Sequence, residues 1–521
     1  MTSKHLPFAL CLSALFAFTV SVNAQSTTSR VEPLSVIDWL SPTLIAPSVT
    51  PNATNRDVTS SATPHAVKTT SLDQQTADAV GLLPSSVTGF PLSLWGQSSS
   101  VDLARLIVAI PVETLPVLQE LTMSLLLAEL DPTFDATNKD VLFQTRIDKL
   151  LDIGALEQAA ALLDRANVRT PALFSRSFDI ALLTENEDAA CDALNQAADL
   201  APTITARVFC LARTGDWNAA ALIFETGVAL GYVSPEEGDV LARFLDPEFA
   251  DVAPPLPLSV RPSPLMFRLY AAIGEPIPTT LLPRAFAHTD LTANNGWRAR
   301  LEAAERLVHS GAVSDNVLLA LYTDRTPAAS GGVWDRVEAV QRFDTAVKSR
   351  DPGAVSSSLP LVWDALKAVQ LEGFLAHQYA TDLAKFPLSG DTAALVLRLS
   401  LLSDDYESAA QTAVAENRIT SKEEAFLVSL AQGKPELNGL SDSRAIAIHD
   451  GFLRSTPFSP DDVEVSGGNL GSAILRAITL FAEGARGDLN NVTRAIAILR
   501  SVGLEDIARR ASLELMLLER A

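Results

Sequence analysis

The chain is poor in the residues that most often carry chemistry. Its 521 residues include three cysteines, six histidines, five tyrosines and six tryptophans, and aromatics make up 6% of the whole. His65, His288, His309, His377 and His449 are scattered along it. No His-Glu-x-x-His stands ready for zinc, no Gly-x-Ser-x-Gly for a nucleophile, and no Gly-x-x-x-x-Gly-Lys-Ser/Thr for a phosphate. No catalytic, cofactor-binding or metal-ligating residue is therefore assigned. Basic residues are also short, with 40 Lys and Arg against 62 Asp and Glu and a net charge of −22. Phosphate backbones need a basic face, which excludes nucleic acid as a partner. Beyond the N-terminus no segment reaches the roughly 18 apolar residues that span a bilayer. Alternating strand patterns are missing too.

What the N-terminus holds is an address. Lys4 and His5 precede an apolar run from Leu6 to Val22, and Val22-Asn23-Ala24 sets small residues where a signal peptidase cuts. Residues 1–24 are read as a signal peptide cleaved after Ala24, so the mature protein is expected to be periplasmic or secreted, with no transmembrane segment. Cys11 lies inside the apolar run rather than just after a cleavage site, which argues against a lipid anchor. The sequons Asn52-Ala53-Thr54 and Asn491-Val492-Thr493 are no more than chance gives. Two mature cysteines favour the bacterial periplasm.

Residues 25–100 shift to Ser, Thr, Pro and Val with few charges. Such a composition buries too little apolar surface to offset its ordering entropy, so a disordered arm is expected. Two apolar islands interrupt it, residues 34–40 around Trp39 and residues 80–95 ending in Leu94-Trp95. A Trp among aliphatics is costly to leave in water, so each island should dock, on this chain itself or on a partner.

From Val101 onward the apolar residues recur at the helical period. The stretch 140–153 places Val141, Ile147, Leu150 and Leu151 on one face. The expected architecture is all-α, an α-solenoid or superhelix of stacked helical hairpins preceded by the disordered arm. Its parts are a helical block at 101–245, a Pro-rich seam at 246–264 that includes Pro254-Pro255, a second helical block at 265–455, an irregular loop at 456–471, and a C-terminal helical cap at 472–521.

Self-comparison reveals a repeated hairpin. Gly154-Ala155-Leu156 is followed by Ala159, Leu163, Ala166 and Pro171, and Glu185-Asn186-Glu187 by Ala190, Leu194, Ala197 and Pro202 at the same spacings. A third copy runs Gly215-Asp216-Trp217, then Ala220, Phe224 and Gly227. The small residue lets two helices approach, the bulky one fills the space between hairpins, and the Pro interrupts the chain before the next helix. The stretch from Asp192 through Ala193-Leu194 and Ala197-Ala198 to Pro202 resembles the second helix of the tetratricopeptide repeat. Starts at 154, 185 and 215 lie closer than that family's usual spacing of ~34 residues. Shorter echoes occur at residues 405–410 and 503–508. The resemblance implies a superhelix with a concave groove, and a binding or scaffolding role without catalysis.

Cys191 and Cys210 fall on consecutive helices of one hairpin, equidistant from a turn between Leu200 and Ala201, so a disulfide is expected between them. It should contribute about 3 kcal/mol. No Cys-x-x-Cys spacing or neighbouring His favours a metal instead. The run Ser466 to Ser472 is read as a flexible helix entry rather than an anion nest, and Asp404-Asp405 and Asp461-Asp462 as helix N-terminal charges. Candidate groove residues are Trp217, Trp297, Arg300, Trp334 and Trp363, each of which would otherwise pack between hairpins. The expected function is a non-catalytic scaffold holding a protein or peptide. The alternative is a cell-wall or polysaccharide-processing enzyme built on a helical superhelix or toroid, for which aromatics to stack sugar rings are scarce.

Overall fold

The computed structural model describes residues 76–137, 139–167, 170–248, 256–257, 261–454 and 469–518. The expected signal peptide at 1–24, residues 25–75 with the Trp39 island, most of the expected Pro-rich seam, and residues 456–468 of the expected irregular loop lie outside the described residues. Everything described is helix and connecting turn. Among these residues there is no strand, and one isolated bridge pairs Leu83 with Ala128.

In chain order the helices are α1 (Ser85–Thr88), α2 (Ser100–Ala109), α3 (Pro116–Leu127), α4 (Val141–Ile153), α5 (Leu156–Ala166), α6 (Pro171–Leu183), α7 (Glu187–Gln196), α8 (Ile204–Arg213), α9 (Trp217–Ala229), α10 (Pro235–Leu245) and α11 (Pro264–Ala272). A 3-10 turn, Arg284–Leu291, leads to α12 (Trp297–His309), α13 (Asp315–Thr323), α14 (Val333–Lys348), α15 (Pro352–Lys367), α16 (Glu372–Leu383) and α17 (Gly390–Leu401). The last are α18 (Tyr406–Ala415), α19 (Lys422–Ala431), α20 (Ser443–Leu453), α21 (Leu470–Ala485), α22 (Leu489–Ser501) and α23 (Glu505–Leu517).

Two local devices set these boundaries. Helices begin where a side chain can accept an orphan N–H: Thr170, Thr203, Asp216, Ser263 and Asp442 all do so, and Ser234 and Ser421 form capping boxes with Glu237 and Glu424. Prolines 116, 171, 235, 264 and 352 occupy first-turn positions, where a missing N–H costs nothing. Pro264, expected within the seam, thus opens α11.

Helices end at one recurring joint. Gly154, Glu185 and Gly215 hold φ of 90°, 57° and 90°, and the next residue donates its N–H five residues back, Ala155 to Leu150, Asn186 to Ala181 and Asp216 to Leu211. This Schellman geometry satisfies the last carbonyls and reverses the chain in two residues. It marks the start of each of the three repeat copies, and it recurs at Gly274, Gly311, Arg350, Gln370 and Gly503.

Successive helices are mutual neighbours, but the fold also joins distant parts of the chain. α2 packs on α21, and α3 on α23. α4 lies at the centre, buried by α2, α3, α5 and the Arg284–Leu291 turn. Its buried residues are Leu142, Phe143, Arg146, Ile147, Lys149, Leu150 and Ile153, a wider face than the apolar period indicates, while Val141 and Leu151 are only half-buried.

The expected disorder through residue 100 is corrected by these contacts. Thr76 onward is folded against the helical body. Arg146, fully buried, donates from Nε to Leu126 O at 2.8 Å, from Nη2 to Ala128 O at 3.0 Å, and from Nη1 to Asp78 O and Val80 O at 3.2 and 2.8 Å. Asp140 accepts from Ala77 N–H and the Thr76 hydroxyl, and Asp78 accepts from Phe143 N–H. The island ending in Trp95 docks on its own chain. Leu83, Leu94 and Trp95 are buried, and Gly471 lies so close that a Cβ there would come 2.4 Å from the Trp95 ring. Burial of each such side chain contributes roughly 1.5–3 kcal/mol. The C-terminal cap correspondingly begins at Leu470 rather than at 472.

Candidate interaction site

The disulfide forms between the expected helices. Cys191 on α7 and Cys210 on α8 are joined with Cα atoms 5.0 Å apart, both fully buried. Glu187, one turn earlier on α7, accepts from Arg268 of α11 at 2.6 Å and lies 3.3 Å from Arg213 of α8. The hairpin is therefore tied twice, covalently and ionically.

The candidate groove residues separate into three places. Trp297 and Trp334 come together with ring centroids 5.0 Å apart, the Arg325 guanidinium lies 5.5 Å from the Trp297 centroid, and Trp297 Nε1 donates to Leu321 O at 2.9 Å. Trp297 is half-buried and engaged by all three, so the pair packs as structure more than as an open stacking platform. Arg300 and Trp363 are half-buried on α12 and α15. Trp217 differs. It stands 49% exposed at the start of α9, touching Phe244 with centroids 6.1 Å apart.

α9 itself is the anomaly of the surface. It is one of the most apolar helices of the chain, yet only Ala220 and Gly227 are buried in it. Gly227 sits against Ile204 of α8 and Val233, where a Cβ would come within 2.9 and 3.0 Å, so the helix leans on its neighbour through its smallest residue. Leu222 (67%), Val228 (48%), Leu230 (64%) and Tyr232 (69%) are exposed with Trp217 on the helix and the turn after it. Trp217 and Val228, eleven residues apart, share one side of the helix, and exposed apolar side chains that share a side mark interaction sites.

A second constellation escaped the sequence reading because its members are spread over 400 residues. Arg510 on α23 lies 3.1 Å from Glu120 on α3 and 3.5 Å from Asp404. His377 Nδ1 on α16 is 3.1 Å from Asp315 on α13. Glu514, a turn beyond Arg510, accepts the Val117 N–H with both oxygens. Burial raises the Glu514 carboxyl to about 7, against the opposing pull of Arg510. Burial pulls the His377 imidazole down, but the Asp315 hydrogen bond and charge, with Glu120 and Asp404 beyond, outweigh it and lift it to about 9. Tyr406 donates to Asp506 at 2.6 Å, and burial followed by that carboxylate raises its phenol. An imidazole held protonated through neutrality is a poor general base. As arranged, these groups cross-link α3, α13, α16 and α23.

The remaining histidines are engaged separately. His288 Nε2 bonds Gly154 O at 2.6 Å, His309 bonds Arg284 and Gln370, and His449 bonds Pro435 O. His65 lies outside the described residues. Among the described residues no three or more His, Cys, Asp or Glu side chains are placed to hold a metal ion. A cavity of about 220 Å³ between α16, α17 and α18, bordered by Thr381, Leu397, Ser400 and Asp405, is below the ~300 Å³ of ordinary ligand pockets. The second sequon lies within α22, where Thr493 is buried and bonded to Ala447 O. No helix among the described residues is long and apolar enough to cross a membrane.

No family model, no curated protein and no solved structure matches the chain.

Proposed function

We propose that this protein is a non-catalytic interaction scaffold, a helical-repeat solenoid exported to the periplasm or secreted, that binds a protein or peptide. The observation that carries the reading is the apolar side of α9 where Trp217 and Val228 are exposed, with Leu222, Leu230 and Tyr232 exposed elsewhere on the helix and the turn after it. A few buried anchors, Trp and Tyr prominent among them, supply most of the energy of protein recognition. The repeated hairpin, with its resemblance to the tetratricopeptide repeat, supports the same reading, because stacked helical hairpins present extended surfaces. The buried disulfide fits an oxidising compartment, and the N-terminal apolar run supplies the export signal.

The test is affinity capture from the native cell envelope under mild cross-linking, with partners identified by mass spectrometry. A specific protein, recovered reproducibly and competed by unlabelled chain, is the expected result. Recovery of glycan alone, or of nothing specific, would overturn the scaffold reading and turn attention to cell-wall polymers.

A further inference from the structure

We infer that the uncovered flank of α9 docks a basic amphipathic helix supplied by a partner protein. The inference rests on the scaffold reading and adds to it a place and a chemistry.

Helices α4 and α5, α6 and α7, and α8 and α9 form three successive hairpins, and α10 opens a fourth. Pro247 and Glu248 begin a further helical turn after α10, and α11 packs on α10 and on α6. The exposed face of α9 is apolar. Trp217, Ala221, Phe224 and Val228 follow one another at spacings of four, three and four residues, the seam by which two helices pack nearly parallel. Trp217, Ala221 and Val228 are exposed and Phe224 half-buried. A helix fits this seam better than an extended strand would, since α9 has no free backbone edge to offer.

Charge selects the kind of helix. From Thr214 to Ala242 the chain has no Lys, Arg or His, and it carries Asp216, Glu225, Glu236, Glu237 and Asp239. The basic residues that bracket this stretch are already engaged, Arg213 with Asp188 and Glu187, and Arg243 with Glu275. An incoming helix with Lys or Arg beside its apolar face meets the exposed Glu225 and no cation of α9. A second copy of this chain would instead set Glu225 near Glu225, between two molecules of net charge −22. Complementary rims speed association and reject partners of like charge.

The test uses the full chain and two synthetic helical peptides of about five turns, each with a Leu and Ala seam, one flanked by Lys and the other by Glu. Binding is read by anisotropy of a labelled peptide. The Lys peptide should bind at micromolar concentration and weaken with salt. The Glu peptide should bind at least tenfold more weakly. The double variant Trp217→Ala/Val228→Ser should lose at least tenfold, whereas Leu281→Ser, at an exposed apolar site elsewhere, should lose nothing. Amide exchange on the unmutated protein provides a readout independent of variant folding, and α9 should gain protection when the Lys peptide binds. Equal binding of both peptides, equal binding by the double variant, protection elsewhere, or an α9-dependent dimer in sedimentation would each overturn the inference. If these fail while a protein partner is still captured by the Trp217→Ala/Val228→Ser variant, the docking site is wrong and the scaffold reading survives. If capture fails as well, both fall.

Discussion

Glu514, in the last helix, accepts the backbone N–H of Val117 at 3.1 and 3.2 Å, a contact spanning 397 residues of sequence. Val117 sits in the first turn of α3, where N–H groups have no intrahelical acceptor, so the carboxylate acts as a cap delivered from the far end of the chain. Glu514→Ala should cost about 1–3 kcal/mol by stranding that donor. Glu514→Gln keeps an acceptor and should cost less. Urea unfolding of both variants checks the order, and equal losses would show that charge rather than capping matters.

The same cluster makes stability depend on pH in one direction. The Glu514 carboxyl is raised from 4.5 to about 7, so the folded state holds that proton more tightly than the unfolded one. Its contribution is complete below pH 4.5 and is lost as pH rises toward about 7. The His377 imidazole is raised from 6.5 to about 9, and its contribution is likewise lost as pH climbs between those values. Thermal midpoints should therefore decline from mildly acidic to alkaline pH. His377→Gln should flatten the upper part of the decline, and Glu514→Gln the lower.

The disulfide closes a short loop, its cysteines 19 residues apart. Replacing both with alanine should remove about 3 kcal/mol by freeing the unfolded chain. Far-UV circular dichroism should be unchanged, because α7 and α8 remain packed through Leu194, Val208 and the Glu187 ion pairs. Since both sulfurs are buried, reductant alone should act slowly on the folded protein and quickly in urea.

Arg146 offers a sharper test of the segment before Ser100. Four carbonyls, two of them from residues 78 and 80, converge on its guanidinium. Arg146→Met retains the alkyl bulk but strands those buried acceptors, and should cost about 3 kcal/mol. Residues 76–99 should then become the first site of limited proteolysis. Cleavage first within α5 or α6 would show that Arg146 does not anchor that segment.

These residues also show where the sequence was legible. Helical periodicity, the cysteine pairing and the three hairpin starts depend on spacings of a few tens of residues, and all could be read directly. The folded state of residues 76–99 could not, because its Ser- and Pro-rich composition resembles a linker while its order comes from Arg146, Asp140 and Gly471, far away in sequence. A charged residue at position 146 reads as a solvated face until its acceptors are known. Glu514, Arg510 and His377 were hidden for the same reason. The exposed face of α9 was read only in part: Trp217 stood among the candidate groove residues, but an apolar helix is ordinarily read as core, so Leu222, Val228 and Leu230 were not singled out.

Glu185 holds the position that Gly154 and Gly215 hold in the other two copies, with the same left-handed backbone. An L side chain there costs roughly 1–2 kcal/mol that glycine avoids. Glycine in turn enlarges the unfolded ensemble, returning about 0.4–1 kcal/mol. Glu185→Gly should accordingly stabilise by a few tenths to about 1 kcal/mol. Gly215→Ala should destabilise through φ alone, because nothing lies within 4 Å of a Cβ built there. Gly154→Ala should lose more than Gly215→Ala, since its Cβ would also press on Leu307 at 3.0 Å and Arg284 at 3.3 Å. Chemical denaturation of the three variants ranks them. If Glu185→Gly is destabilised, the side chain at 185 contributes something beyond the joint, and the equivalence of the three copies ends at that residue.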